Sequence, residues 1–500
     1  MREGVEAIVL RTVSPQPTLW ESVIPECLMG LPGDLGEIDV LLDDPVFFEP
    51  FRAFFDPVIG RPSIPMETYL RMMFLKYRYR LGFEPLCREV ADSLAWRRFC
   101  RVPLGTSAPH PTTLMKITSR CGEKAVAGLN EALLAKAVGA KVIRLDKLRA
   151  DTTVVEANVS YPTDSGLLAK GVAKLAQLSK KIKDCGLATR TTVRDRTRSV
   201  RRQAHAIAAW LRRRNDDAKA EVKAITAEMA GIAETAVADA RHLAANARRG
   251  LARAGQEASA KAAALVAELE RSAELLEAIA AQTRVRLSGE VPDGSTRVVS
   301  LHDTDARPIA KGRLGKPVEF GYKAQVVDNA DGIVVDHHVV KGNPPDAPML
   351  VPAMARIAAR FGKVPRAVTA DRGYGEAGVD AGLEAMGVKK VVIPRKGKPG
   401  AARREVQGRR SFRKLVKWRT GSEARISSLK RDHGWRRSLT DGIGGAQTWC
   451  AWGVLANNAT KISALMTAET PPTTGPERTP DAPARPGTGP PGRRRTTSAA

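Results

Sequence analysis

The chain has 500 residues, too many for one ordinary core and enough for about three domains. Its 80 Lys and Arg against 54 Asp and Glu leave a net charge of +26, which favours a polyanionic partner, nucleic acid or an anionic membrane surface. No run of about 18 apolar residues could span a bilayer and the segment 1–17, with Glu3 and Glu6, does not read as a leader, so a cytoplasmic protein touching nucleic acid is expected.

Residues 1–60 form a mixed N-terminal extension punctuated by prolines. Across 66–101 apolar residues recur at helical spacing, Tyr69, Leu70, Met73 and Leu75, then Leu86, Val90, Leu94 and Phe99, with Gly82 as the turn between two helices. After a proline-bounded break at 103–111, a Thr at 112 or 113 can cap a third helix running to about Lys136. Residues 61–140 therefore predict a compact bundle of short basic helices. The stretch 142–155 clusters β-branched residues at its end and predicts a strand.

No proline occurs between Pro162 and Pro292, and Ala, Arg, Lys, Glu and Leu dominate. Stripes such as Val222, Ile225, Met229 and Ile232 predict two or three long helices in an antiparallel hairpin or bundle over 168–290, with Gly231, Gly250 and Gly255 as candidate bends. Strands follow at 320–328 and 333–340 around the turn 329–332, then a helix at 348–361, a short strand at 367–370 ending on Asp371, a helix at 377–386 and a strand at 390–393. Strand–helix–strand spacing of this kind implies parallel neighbours. Residues 395–419 carry eleven basic residues against Glu405 alone, helices are expected at 420–432 and 446–466, and the Pro-, Thr-, Gly- and Arg-rich tail 469–500 is expected to be disordered.

Three acidic positions could carry chemistry. Arg419, Glu423 and Lys430 are spaced by four and seven, so one helix would bring all three side chains within about 40° of one another. That suits a metal ligand beside a phosphate, or equally an exposed salt-bridged face. Asp371 ends a short apolar strand ahead of a Gly turn, where open α/β sheets place ligands, though a helix-capping Asp has the same signature. Asp151 interrupts an apolar strand, which costs several kcal/mol, roughly, if it is buried alone. A metal or a solvated sheet face would relieve that cost. Jointly, three carboxylates from different elements can hold hard, oxygen-preferring Mg²⁺, and two such ions about 3.5–4 Å apart support phosphodiester displacement.

The remaining candidates point to structure. Six cysteines without a C-x-x-C pair read as reduced, mostly buried thiols, and His337-His338 lacks clustered partners for zinc. Asp303 and Asp305 could join a metal site but fit a turn better, and Trp449 and Trp452 fit a helix core better than base stacking.

In order along the chain, Asp151-Thr152-Thr153-Val154-Val155-Glu156-Ala157-Asn158, Tyr161-Pro162-Thr163-Asp164, Lys316-Pro317-Val318-Glu319-Phe320-Gly321-Tyr322-Lys323, Gly342-Asn343-Pro344-Pro345-Asp346, Asp371-Arg372-Gly373-Tyr374 and the Arg-Glu-Lys helix resemble the DDE-class transposases of bacterial insertion sequences. The segment Asp92-Ser93-Leu94-Ala95-Trp96-Arg97-Arg98-Phe99 resembles the helical domain that precedes the core in that family. The resemblance implies an α/β protein with a ribonuclease H-like mixed sheet flanked by helices, built from 141–167 and 291–468. An N-terminal all-α DNA-binding domain at 61–140 and the long helical insertion at 168–290 would accompany it.

It further implies Asp151, Asp371 and Glu423 as the catalytic, metal-holding triad for Mg²⁺, with Mn²⁺ able to substitute. Arg419, Lys430, Arg372, Arg97 and Arg98 would contact DNA. The family's helix signature has a Tyr three residues before the Arg, and Val416 stands there in this chain. The implied activity is metal-dependent strand cleavage and transfer at the terminal inverted repeats of an insertion sequence, by a dimer or higher assembly on DNA, in a cytoplasmic, nucleoid-associated setting. The alternatives are a ribonuclease H-like nuclease without strand transfer and a non-catalytic, sequence-specific DNA-binding relic.

Overall fold

The computed structural model describes residues 8–13, 23–25, 30–213, 215–254, 260–311, 315 and 317–469. The short parallel strands β1 (Ile8–Arg11) and β2 (Arg61–Pro65) flank the first helices, α1 (Leu35–Leu42) and α2 (Glu49–Arg52). Then come α3 (Met66–Arg78), α4 (Phe83–Asp92), α5 (Leu94–Phe99) and α6 (Pro111–Gly139). The expected turn at Gly82 separates α3 from α4, but the second helix breaks again at Ser93, whose Oγ accepts from Trp96 N at 3.2 Å and caps α5. The cap of α6 is His110, which accepts from Thr112 N at 3.3 Å, and not a Thr. α3 is buried almost throughout, and its Arg71 donates to Asp39 and Asp43 at 3.0 and 3.1 Å.

Strand β3 (Lys147–Glu156) starts later than expected, and the insertion follows it as four helices instead of two or three: α7 (Asp164–Asp184), α8 (Thr197–Trp210), α9 (Asp216–Ala254) and α10 (Ala260–Leu287). Gly231 and Gly250 lie inside the continuous α9, and Gly255 falls outside the described residues. The chain returns through β4 (Arg307–Ala310), β5 (Val318–Asp328) and β6 (Val334–Lys341), then α11 (Ala347–Phe361), β7 (Ala367–Ala370), α12 (Ala377–Ala385) and β8 (Lys390–Val392). Four helices complete it: α13 (Ala401–Gly408), α14 (Arg410–Arg419), α15 (Gly421–Asp432) and α16 (Gly442–Glu469). The tail expected to be disordered lies outside the described residues beyond Glu469.

These strands make one mixed sheet. β5 runs antiparallel to β3 on one edge and to β6 and the short β4 on the other, while β3, β7 and β8 are mutually parallel neighbours. The expected mixed sheet flanked by helices is therefore present, with parallel strands where α11 and α12 make the crossovers. Three apolar cores hold it. One face of the sheet (Val155, Tyr322, Ala324, Val326) shares a continuous core with α1, α3, α6 and α16. The other face (Leu148, Ala150, Val327, Val368) packs under α11 and α12. The insertion has a core of its own, built from leucines and alanines of α7, α9 and α10.

Polar ties fix α16 at the centre. Asn458 brackets Val334 through both its backbone groups at 2.9 and 2.8 Å, and Asn130 of α6 donates to Ala451 O at 3.0 Å. Trp449 and Trp452 are buried in that core, and Cys87, Cys100, Cys121 and Cys450 are buried thiols, while Cys185 is exposed. Cys27 lies outside the described residues. Among the described residues, no helix is long and apolar enough to cross a membrane.

Candidate active site

The parallel register between β3 and β7 pairs Ala150 with Ala370, so the next residues on the two strands, Asp151 and Asp371, stand side by side. Strand alternation puts Arg149, Asp151 and Thr153 on the face that α15 covers. Asp151 is buried and well partnered: its Oδ1 accepts from Thr152 N at 2.8 Å, and its Oδ2 accepts from Ser422 Oγ at 2.9 Å and from Arg419 Nη1 at 3.3 Å. Asp371 leaves β7 and turns, its Oδ1 accepting from Gly373 N at 2.9 Å. It thus caps the short 3₁₀ turn 372–374 and faces Asp151.

Electrostatics mark the pair. Burial pushes the Asp151 carboxyl up to about 6, Asp371 adding to the rise while Ser422, Thr152 N and Arg419 oppose it. Burial also raises Asp371, and its charged neighbour Asp346 adds to that. Asp346 accepts from Thr152 Oγ1 at 2.9 Å and pairs with the buried Lys323 at 2.7 Å. A Cβ added at Gly373 would stand 2.8 Å from Asp346 Oδ2 and 3.0 Å from Asp371 Oδ1, so glycine lets both carboxylates close around this turn.

The helix signature is placed differently from the expectation. Arg419 ends α14 and Glu423 belongs to α15, with Thr420 between them as a non-strand, αR junction. Helical backbone at Thr420 nevertheless keeps the four-residue spacing useful, and Arg419 Nη2 lies 3.5 Å from Glu423 Oε1 while its Nη1 reaches Asp151. Glu423 is 68% exposed, and Lys430 sits half-buried farther along α15.

What seats α15 is a buried ion network. Arg149 grips Asp328 through two bonds at 2.9 and 2.7 Å, donates to Trp418 O at 3.1 Å, and stacks on the Trp418 ring. Arg425 adds a contact to Asp328 at 3.6 Å. Gly421 packs against that guanidinium: a Cβ there would meet Arg149 Nη1 at 2.0 Å.

Other expected residues are dispersed. Arg372 is exposed, its guanidinium held by the carbonyls of Arg395 and Gly397 at 3.2 and 2.8 Å. Arg97 is buried and donates to the carbonyls of Ala91, Pro103 and Thr106, so it braces the 103–106 loop, while the adjacent Arg98 is exposed. Asp303 is buried, accepting from Tyr322 Oη and from Gly442 N, and Asp305 pairs with Lys341 at 2.7 Å. Both anchor the start of α16 as turn residues and stand apart from Asp151. Sequence reasoning missed Ser422, Asp346 and Lys323. The last two lie in the quoted motifs, which is the signal that could have found them.

Among the described residues, no three His, Cys, Asp or Glu side chains are gathered closely enough to hold a metal. The Asp151–Asp371 pair nevertheless suits a hard divalent cation: two adjacent carboxylates, each destabilised by burial and by a like-charged neighbour, are the oxygen donor set such an ion prefers.

Comparison with known proteins assigns the two ends of the chain. Residues 32–120 match the family described as Transposase domain (DUF772), and residues 292–472 match the Transposase DDE domain. The chain belongs to the DDE transposases of insertion sequences. Its sheet is the ribonuclease H-like sheet of that family, a family of polynucleotidyl transferases and nucleases that bind DNA and generally use a divalent metal. The second match contains Asp371, Glu423, Arg419 and Lys430, whereas Asp151 lies outside both matched segments and is beside Asp371 only by strand register. The chain is also 28% identical over 140 residues to an uncharacterized protein, ORF8 in the nfe locus of Rhizobium meliloti, covering 27% of this chain and 67% of that one. No solved structure matches.

Proposed function

We propose that the protein cleaves and joins DNA strands at the terminal inverted repeats of its own insertion sequence, with Asp151, Asp371 and Glu423 as the acidic triad. The observation that carries this reading is the side-by-side placement of Asp151 and Asp371 beneath the helix that bears Ser422 and Glu423. Asp151 and Asp371 would hold Mg²⁺, or Mn²⁺ in its place, with Glu423 completing the set once the Arg419 contact is exchanged for a phosphate. The metal, when bound, supplies charge neutralisation at the scissile phosphate and a more acidic attacking water.

The chain's own groups do the rest. Ser422 and Arg419 fix the rotamer of Asp151, and Asp346, itself held by Lys323 and Thr152, packs against the turn after Asp371. Arg419 and Lys430, with Arg372 and the exposed Arg98 farther away, supply positive charge for the DNA backbone. Water attack at the element end breaks the P–O3′ bond and frees a 3′ hydroxyl. That hydroxyl then attacks a target phosphodiester in line, forming a new P–O bond and expelling the target's 3′ oxygen. Two ends handled together imply a dimer or higher assembly on DNA.

The test is cleavage of a labelled duplex carrying the ends that flank the gene, with Mg²⁺ or Mn²⁺, comparing wild type with Asp371→Ala. The expected outcome is metal-dependent nicking at the end, reduced at least about 100-fold in the variant while binding persists. Equal binding with no cleavage by either protein would make it a DNA-binding relic and remove the catalytic roles. Nicking without joining to target DNA would leave a nuclease.

A further inference from the structure

The helical insertion is electrically lopsided. From Asp164 to Trp210, across α7, α8 and the segment between them, the sequence holds eleven Lys and Arg against three Asp and no Glu. α9 carries six residues of each sign and α10 four of each. Much of that balanced charge is matched across the bundle: Arg241 meets Glu277 at 2.5 Å, Arg284 meets Glu234 at 3.0 Å and Arg248 meets Glu270 at 2.5 Å. In the α7–α8 half Arg196 and Lys174 find such partners, Asp239 at 2.5 Å and Glu268 at 3.3 Å, whereas Lys180, Lys181, Arg198, Arg201 and Arg202 are exposed.

A groove of about 830 Å³ runs between α7 and α8, lined on its open side by Lys180, Lys183 and Arg201. At its far end Lys170 and Lys174 are tied to Ser160 at 3.2 Å and Glu268 at 3.3 Å. Asp195, on the rim, accepts from Thr197 N at 2.8 Å and faces Arg201. Ser179 also lines the groove: it is 4% exposed, and its Oγ has no hydrogen-bond partner among the described residues.

We propose that the α7–α8 face of the insertion grips the sugar–phosphate backbone of duplex DNA, at a second surface apart from the acidic pair. Lys180, Lys183 and Arg201 contact phosphates. This rests on the transposase reading above and names where, outside its acidic site, the duplex is held. The dimensions agree, because the 21 residues of α7 span roughly 30 Å, close to one turn of duplex at about 34 Å. Only residues 157–163 separate the end of β3 from α7, so a duplex on this face runs toward the strand that carries Asp151. A second copy of the chain fits less well, because many acids of α9 and α10 are already paired and cannot answer the surplus.

The experiment is fluorescence anisotropy of the full chain with an end duplex in EDTA, titrated at several KCl concentrations. The triple variant Lys180→Gln/Lys183→Gln/Arg201→Gln is expected to lower the slope of log affinity against log salt by about 2–3, and to weaken binding about tenfold or more near physiological salt. A control that removes the same charge from the other half, Lys223→Gln/Arg253→Gln/Lys261→Gln, is expected to leave the slope nearly unchanged. The double variant Lys180→Gln/Lys183→Gln, with α8 untouched, should give about two-thirds of the effect. A triple variant with the wild-type slope, or a control with an equal loss, overturns the assignment. If wild type binds no duplex at all, the transposase reading falls with it. If wild type binds and cleaves while the triple variant binds alike, only this face is wrong.

Discussion

Burial beside Asp371 lifts the Asp151 carboxyl from 3.8 to about 6, so at neutral pH the folded chain carries a carboxylate that its surroundings oppose. Between those two values the folded state binds more protons than the unfolded one, and stability therefore falls as pH rises through the window. Above about pH 6 the penalty is fully present; below about pH 4 it is gone. Asp151→Asn keeps an acceptor for Ser422 and removes the charge. Its metal-free form is expected to be more stable than wild type by about 1–3 kcal/mol at pH 8, with the gain vanishing toward pH 4, as read by thermal melts across pH. A variant no more stable at pH 8 than at pH 4 would contradict the burial argument. Added Mg²⁺ should raise the wild-type melting temperature and release protons, and should do neither for the variant. Both acids were legible in the sequence, because a lone Asp in or at the end of an apolar strand is conspicuous. Ser422, Asp346 and Lys323 were not, since a serine on a helix, an acid in a loop and a lysine in a strand acquire meaning only from what lies opposite them.

Helix α15 is placed by a strand that precedes it by some 270 residues, through Arg149. Gly421→Ala would drive a methyl group into that guanidinium, which cannot retreat without loosening its grip on Asp328. The expected outcome is a loss of about 2–4 kcal/mol in a denaturant melt, together with cleavage reduced beyond what the stability loss explains, because Ser422 and Glu423 shift with the helix. Normal cleavage by a destabilised variant would show that the seat of α15 matters only for folding. The strands of the sheet and the helices α11 and α12 were legible from β-branched clusters and clear punctuation. β4 was not, because Arg307-Pro308-Ile309-Ala310 is short, contains a proline and owes its pairing to β5. α13 and α14 escaped for a different reason: a run dominated by Arg and Lys leaves too few apolar residues to reveal a period. The split at Thr420 was invisible as well, since its backbone remains helical and only the ladder of hydrogen bonds is interrupted.

For the whole molecule, composition indicated several domains and a nucleic-acid partner, and the insertion does have its own core. The N-terminal helices are bound differently: they share one uninterrupted core with α16 and a face of the sheet. A fragment comprising 141–469 is therefore expected to expose Tyr322, Val326, Trp452 and their neighbours and to lack a cooperative melt. Co-expression with 1–140 should restore it. A fragment that melts cooperatively alone would mean that this shared core is dispensable. Periodicity could not reveal the sharing, because an apolar stripe says that a helix is covered and not by what. The insertion also imposes a timetable. β3 leaves the ribosome carrying Asp151, yet its antiparallel partner β5 begins at Val318, after the whole insertion has been made. At bacterial-scale synthesis of about 5–20 residues per second, the strand waits roughly 8–30 s for that partner. The helices already synthesised can shelter Val155 during the delay, but the acidic pair does not exist until residue 371 has emerged and is not covered until α15 follows. A chain that stops short of α15 is thus born without the covered acidic pair, so a cleavage centre of the kind proposed could not assemble before residue 421 has been made.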